Sequence, residues 1–193
     1  PSHQVRSPPY SPQLLARRQT IMNRDHYWAL IDRTRAESGK DPEEQAKLLQ
    51  SAVSALSAEE ILDFEKHTTA LLDASYRNRL WGAAYLINGG CSDDGFDYFR
   101  GWLIAQGRAT YEAALANPDS LADCEALGDG DVELEALWYI GNRAYEAKTG
   151  EPIPDTVGDD DESEEEEEED FDVDFDDDEA MQEHYPRLYA RFC

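Results

Sequence analysis

The hydrophobic positions of the chain recur with the period of an α-helix from Asn23 onward. The first apolar stripe consists of Tyr27, Leu30, Ile31 and Thr34, and Gly39 follows as a residue suited to ending a helix. Two more helix starts, each a capping residue followed by acids, are Asp41-Pro42-Glu43-Glu44 and Ser57-Ala58-Glu59-Glu60. The second of them precedes a stripe of Ile61, Phe64, Thr68, Leu71 and Leu72. The pattern therefore predicts three amphipathic helices in the first part of the chain.

The same period continues through the centre of the chain. A helical segment from Tyr76 to Ile87 ends before Gly89-Gly90, and Ser92-Asp93-Asp94 opens another that runs to Gly107. A last helix is predicted from about Val132 to Lys148, with a stripe of Leu134, Leu137, Trp138, Gly141 and Tyr145. No segment has the alternation of a β-strand. Because such helices are stabilised by burying their stripes against each other, we predict an all-α, irregular single-domain helical bundle.

The charge of the chain is concentrated near its C-terminus. The sequence has 43 Asp and Glu against 17 Lys and Arg, a net charge of −26, and 18 of the acids lie between Asp155 and Glu179. Because self-repulsion without apolar residues opposes folding, we predict a disordered acidic segment at 152–179, looped out as an insertion. The other predicted parts are a disordered leader at 1–21, a helical domain at 22–151 and a C-terminal helix at 180–193 that docks on the domain.

Composition excludes several classes of function. Outside the acidic stretch 25 acids still outnumber 17 bases, so the chain lacks the cations that bind nucleic acid or an anionic membrane surface. No apolar run reaches the roughly 20 residues of a membrane span. The three cysteines form no CxxC pair, which argues against a zinc motif or a disulfide framework and fits a reducing cytoplasm. We therefore predict no metal site, no cofactor, no nucleic-acid partner and no membrane partner.

Polar and aromatic residues are densest between Arg77 and Arg108. The candidate ligand-binding residues are Arg77, Trp81, Asp93, Asp94, Asp97, Tyr98, Arg100 and Trp102. Helical spacing places Asp93, Asp97 and Arg100 near one face, and arginine with aromatic walls suits an anionic ligand. The structural alternative is that the acids cap a helix, Arg100 pairs with them and the aromatic rings belong to the core. No catalytic residue is assigned.

Cys91 offers a separate hypothesis. It follows Gly89-Gly90 and precedes a helix start, where the helix dipole could stabilise a thiolate. His26 or His67 could in principle serve as its base, although no spacing brings them together. The alternative is a buried structural cysteine, which is the commoner outcome.

Several segments resemble one bacterial protein family. They are Trp81-Gly82-Ala83-Ala84-Tyr85, the run from Ile87 to Ile104, Tyr27-Trp28-Ala29-Leu30-Ile31-Asp32 and Pro186-Arg187-Leu188-Tyr189-Ala190-Arg191-Phe192. Together they resemble the domain of unknown function 4240. The resemblance implies a bacterial, cytoplasmic setting, and it supplies no activity and no catalytic residues.

These observations lead to two functional hypotheses. The first is a non-enzymatic protein-binding or regulatory module of the bacterial cytoplasm, whose partner is a protein. The alternative is an enzyme or small-ligand-binding protein that uses an Asp, Arg and aromatic pocket around residues 77–108. A deep pocket joining Arg77, Asp97 and Arg100 would favour the alternative, whereas a filled surface would favour the module. The sequence assigns no oligomeric state.

Overall fold

A computed structural model describes residues 21–154 and 173–193 of the chain. Its α-helices are α1 (Arg24–Glu37), α2 (Pro42–Ser54), α3 (Ala58–Ala74), α4 (Asn78–Asn88), α5 (Asp93–Ala105), α6 (Arg108–Ala116), α7 (Ile140–Thr149), α8 (Asp178–His184) and α9 (Pro186–Phe192). Its 3₁₀ helices are η1 (Pro118–Asp123), η2 (Glu125–Leu127) and η3 (Glu135–Tyr139). The predicted all-α single domain is confirmed, and these two ranges contain no β-strand. Most of the predicted leader (residues 1–20) and residues 155–172 of the predicted acidic segment lie outside the described residues.

The predicted starts of the first three helices are confirmed by their caps. The Asn23 side chain accepts a hydrogen bond from a first-turn amide of α1 at 2.9 Å, and Asp41 does the same for α2 at 2.9 Å. At α3, Ser57 and Glu60 form both halves of a capping box. Such caps satisfy amides that have no partner within the helix, and each contributes about 1 kcal/mol.

Helix α5 lies at the centre of the hydrophobic core. Every residue from Phe99 to Ala105 is buried. A helix buried on all sides needs neighbours all round it, and α5 contacts α1, α2, α3, α4, α6 and η3. The aromatic side chains that are fully buried in this core include Tyr27, Phe64, Phe96, Phe99 and Tyr111. The central helix is therefore also the one that carries most of the candidate site residues.

The prediction of one helix from Val132 to Lys148 is wrong in its first half. Asp131 has a left-handed φ of 59°, residues 132–134 are extended, η3 follows, and the α-helix begins only at Ile140. The Val132 amide donates to the Asn88 side chain at 3.0 Å, and the Asn88 amide group donates back to the Val132 carbonyl at 3.4 Å. Because this tertiary partner satisfies both backbone groups, the extended conformation replaces the helical one.

The C-terminal residues 173–193 pack on the domain, with α9 against α4 and η1. They form two helices where one was predicted, because Pro186 has no amide and disfavours a helical conformation at the residue before it. Tyr185 accordingly has φ −132° and ψ 58°. Helix α8 begins at Asp178, inside the range predicted to be disordered, and Leu188 of α9 is fully buried.

Candidate functional site

Arg100 is the central residue of the predicted site, and its guanidinium group is buried. The side chain is 4% exposed. Its Nη1 donates to the Leu72 carbonyl at 2.6 Å, and its Nη2 forms an ion pair with Asp97 one turn earlier on α5. Nε is buried and has no hydrogen-bond partner among the described residues. The buried charge is therefore neutralised from within the domain, as burial of a charge requires.

Three aromatic rings enclose this guanidinium group. Its Cζ lies 4.7 Å from the ring centroid of Tyr76, 5.1 Å from that of Phe96 and 5.4 Å from that of Trp138. The Trp138 indole also donates to the Asp97 carbonyl at 2.9 Å. Each cation–π contact contributes roughly 0.5–2 kcal/mol, more when the cation is desolvated. Arg100 thus fills the space between these three rings, none of which is among the aromatic residues that the sequence suggested as the walls of a pocket.

The two tryptophans among the candidate residues, Trp81 and Trp102, both pack against phenylalanine rings of α5. Trp81 stacks on Phe96 with centroids 4.8 Å apart, and its indole donates to the Cys91 carbonyl at 3.0 Å. Trp102 is 2% exposed and packs on Phe99 with centroids 5.5 Å apart. Trp81 therefore joins the group around Arg100, whereas Trp102 belongs to the core.

The remaining predicted residues lie at helix starts or on the surface. Arg77 precedes α4, and its Nε donates to the Ala74 carbonyl at 2.9 Å. Asp93 and Asp94 are exposed in the first turn of α5, and Tyr98 is half-buried one turn later. The structure therefore groups Trp81, Asp97 and Arg100, and leaves Asp93, Asp94 and Tyr98 at the surface beside them.

None of the three rings around Arg100 is among the candidate residues, although Phe96 lies only one helical turn before Arg100 on α5. Tyr76 was assigned no role, and Trp138 was placed in a core stripe. Tyr76 is 56% exposed and covers the guanidinium group from the outside. The contacts of Tyr76 and Trp138 join parts of the chain that are far apart in sequence, so no local spacing could have indicated them.

Residues 132–134 lie along α5 as an extended strip. The Leu134 amide donates to the Tyr98 carbonyl at 2.9 Å. Gly101 permits this approach, because a Cβ at that position would lie 2.6 Å from the Leu134 carbonyl oxygen. Alternate side chains of an extended segment point to opposite sides, and here Val132 and Leu134 are buried. Glu133 is exposed between them, as are Asp131 and Glu135 on either side of the strip.

These carboxylates flank two tyrosine rings. Tyr98 is half-buried, and Tyr139 at the end of η3 is 41% exposed. The charge of Glu135 is the main cause of a raised pKa at Tyr98, with burial, Tyr139 and Asp94 adding to it. The rings and carboxyl groups are therefore close enough to interact. We call the set Asp94, Tyr98, Glu133, Glu135 and Tyr139 the acidic-aromatic face.

The negative charge of this region is not compensated locally. Among the described residues, no ion pair or side-chain hydrogen bond engages Asp93, Asp94, Asp131, Glu133 or Glu135. Burial, followed by the charges of Asp131 and Glu135, raises the pKa of Glu133. A nearby cation, Arg143, lies over the Tyr139 ring at 5.3 Å. The face consequently combines the half-buried ring of Tyr98 and the exposed ring of Tyr139 with carboxylates that have no ion-pair partner among the described residues.

Cys91 does not have the surroundings of a reactive cysteine. It is half-buried, and burial together with the charge of Glu133 raises the pKa of its thiol to about 11. The thiol is therefore protonated at neutral pH, and the helix dipole does not prevail. His67 is hydrogen-bonded to the Met22 carbonyl at 2.9 Å. The interpretation of Cys91 as a structural cysteine fits these contacts.

A cavity lies away from all of the predicted residues. It has a volume of about 500 Å³ and is lined by Asp32, Arg35, Ala36, Gly39 and Lys40. Both of its cations have partners: Arg35 Nε donates to Gln106 at 3.2 Å, and Lys40 pairs with Glu125 at 2.9 Å.

Residues 21–154 and 173–193 lack two further features, a metal-binding group of side chains and a membrane-spanning helix. In these ranges no three His, Cys, Asp or Glu side chains are grouped so that they could hold a metal ion. No helix within them combines the length and the apolar character needed to cross a bilayer.

Comparison with known proteins bears on the family alone. Neither the curated proteins nor the solved structures include a match to this chain. A family model described as "Protein of unknown function (DUF4240)" matches residues 22–147, which contain α1 to η3 and nearly all of α7. The resemblance predicted from the sequence is confirmed. Because the match spans well over half of the sequence, the chain belongs to the DUF4240 family.

Proposed function

We propose that the protein is a non-enzymatic protein-binding module and that the acidic-aromatic face is its binding surface. The observation that carries the proposal is the contrast between a filled interior and an exposed ring. Arg100 occupies the space between the inner rings, while Tyr139 is 41% exposed. Tyrosine and tryptophan are enriched at protein interfaces because they bury a large area at low entropic cost. The bacterial cytoplasmic setting implied by the family resemblance is part of the proposal.

The rigidity of the face also supports protein binding. Glu133 lies on an extended strip that is hydrogen-bonded to α5 through Leu134 and to α4 through Asn88, and Glu135 begins η3 directly after this strip. Asp94 and Tyr98 project from α5 itself. A surface whose backbone is already fixed loses little conformational entropy when a partner binds.

The alternative of a small-ligand pocket has less support from the same contacts. An anionic ligand would have to reach donors of Arg100, but Nη1 and Nη2 each donate to a residue of the domain, the unpartnered Nε is buried and the side chain is 4% exposed. Such a ligand would have to displace one of the enclosing rings as well as Asp97. Burial of a ligand in a preformed cleft, the usual arrangement of small-molecule sites, is therefore disfavoured here.

Site-specific photocrosslinking with the whole 193-residue chain tests the proposal. A photoreactive amino acid replaces Tyr98 or Tyr139, and, as matched controls, Glu43 or Lys148, which are exposed on other helices. We expect one protein adduct from both face positions and none from the controls. The captured protein is then purified and titrated, and Tyr139→Ser should weaken its binding about tenfold, the loss of one interfacial aromatic contact.

Two results would overturn the proposal. One is equal crosslinking from face and control positions, because it would mean that the face has no special role. The other is a metabolite that raises the melting temperature of the parent chain but not of Asp97→Asn, since mass action would then indicate a small-ligand site.

A further inference from the structure

The chemistry of the face indicates what kind of partner it fits. Resting on the function proposed above, we infer that the acidic-aromatic face binds a basic segment of the partner protein, with an arginine of that segment stacked on Tyr98 and Tyr139. The inference follows from two properties of the described residues, their charge and their rings.

The first property is uncompensated charge. Five carboxylates, those of Asp93, Asp94, Asp131, Glu133 and Glu135, lie in the first turn of α5 and in or next to the extended strip. None of them is paired with another described side chain. Burial is the main cause of the raised pKa of Glu133, and the charges of Asp131 and Glu135 lie close enough to add to it by repulsion. A cationic segment relieves this repulsion, whereas an acidic or neutral segment does not.

The second property is that rings of this domain already accept guanidinium groups. Arg143 lies over Tyr139 at 5.3 Å, and Arg100 lies over Tyr76 at 4.7 Å while pairing with Asp97. Stacking on a ring combined with pairing to a carboxylate suits the planar, weakly hydrated guanidinium group better than an ammonium group. The face offers the same two elements, rings and carboxylates, to an arginine from outside. It should therefore prefer arginine to lysine.

The acidic run of the same chain requires a control. Residues 155–172 carry 13 acids, which would attract any basic peptide through charge alone. Phe171 is the one aromatic residue of this stretch, so the attraction rests on charge and should hardly distinguish arginine from lysine. Preference for arginine and sensitivity to the tyrosines are consequently the properties that identify the face.

The experiment measures binding of fluorescein-labelled peptides to the whole 193-residue chain by anisotropy at 0.15 M salt. The peptides are twelve-residue repeats of Arg-Gly, Lys-Gly, Ser-Gly and Glu-Gly. We expect the Arg-Gly peptide to bind most tightly, and Tyr98→Ser with Tyr139→Ser to weaken it about tenfold, the loss of two cation–π contacts. Glu135→Gln should weaken it by roughly threefold, the value of one partly exposed charge pair.

Matched variants separate the face from general charge. Glu43→Gln with Glu183→Gln removes two exposed acids elsewhere and should change the affinity by less than about twofold. Replacement of Glu164 to Glu169 by glutamine should weaken the arginine and lysine peptides equally. Because Tyr98 is half-buried, circular dichroism checks the fold of each variant, and Tyr139→Ser alone provides the test if the double variant is unstable.

The outcomes are distinguishable. If the tyrosine variants bind the Arg-Gly peptide as the parent does, or if lysine and arginine peptides bind equally, the inference is wrong. If the photocrosslinked partner binds the face without a basic segment, the inference fails while the proposed function stands. If no peptide binds and no adduct forms at the face, both fail together.

Discussion

Two carboxyl groups in different regions of the molecule are buried with opposite consequences. In the C-terminal region, Asp119 of η1 accepts hydrogen bonds from the amides of Leu188 at 2.9 Å and Arg187 at 3.1 Å, in the first turn of α9. Where α3 packs on α7, the Glu65 Oε2 atom is buried and has no hydrogen-bond partner among the described residues. It lies against Gly141, where any side chain would collide with it.

The difference lies in the hydrogen-bond donors that each buried carboxyl group finds. Asp119 replaces the water it loses with backbone amides at a helix N-terminus, where the dipole also favours a negative charge. Glu65 receives no such donors, so burial raises its pKa to about 7 and it holds its proton over much of the acidic range. The first group therefore stabilises a contact between distant segments, and the second makes the stability of the fold depend on pH.

Removal of the Asp119 carboxylate should give the largest loss of stability of the substitutions considered below. Asp119→Ala leaves the first amides of α9 without acceptors in a buried place, so we expect a loss of about 2–4 kcal/mol in the free energy of unfolding. Urea unfolding followed by circular dichroism measures it. Asp123→Ala is the control, because Asp123 forms only an exposed ion pair with Arg187, worth less than about 1 kcal/mol. Equal losses from the two variants would contradict the assigned role of Asp119.

This contact also shows where the sequence stops being informative. Asp41 and Ser57 cap helices that begin at the next residue, so a local pattern was enough to predict both caps. Asp119 caps a helix 68 and 69 residues away, and nothing in its own neighbourhood marks it. Local capping is encoded by adjacent residues, whereas long-range capping depends on how the helices pack.

The candidate site likewise has one part that the local sequence predicts and another part that depends on how the helices pack. Helical spacing correctly placed Asp97 and Arg100 together, because both lie on α5 and form an ion pair there. The spacing could not reveal that the pair is enclosed by Tyr76 and Trp138. The sequence also did not place Glu135 beside α5. The apolar positions of the predicted helix from Val132 to Lys148 fit a continuous helix as well as they fit the extended strip and η3 that the structure contains.

Replacement of Glu65 by glutamine removes the group whose protonation makes the stability of the fold depend on pH. In the unfolded chain Glu65 ionises near its ordinary pKa of 4.5, but in the fold it stays protonated until about pH 7. The unfolded state therefore loses its proton first, and stability falls as the pH rises from about 4.5 to about 7, then stays level. The loss is about 3 kcal/mol at most. Glu65→Gln should abolish this decrease and be more stable than the parent at pH 8.

The measurement is a set of urea unfolding curves between pH 4 and pH 8 for the parent and the variant. Glu146→Gln, an exposed substitution on α7, is the control and should retain the pH dependence of the parent. The other carboxyl groups contribute equally to both curves, so the difference between parent and Glu65→Gln isolates one group. A constant difference across the whole range would show that Glu65 does not titrate within it.

The smallest expected effect tests whether packing, as well as the Asp119 cap, holds the C-terminal region. The Tyr185 hydroxyl donates to the Arg79 carbonyl at 2.7 Å, and a Cβ at Gly82 would lie 2.5 Å from it. Gly82→Ala should therefore cost about 1–2 kcal/mol through overpacking, even though alanine favours a helix more than glycine does. In a Tyr185→Phe background the hydroxyl is gone, but ring carbons at 3.0 and 3.1 Å from the added Cβ remain. The same substitution should therefore cost less than in the parent without becoming neutral, and urea unfolding of the four chains gives the coupling. No coupling would mean that the ring moves aside freely, and that the polar contacts at Asp119 fix the position of α9 without help from Tyr185.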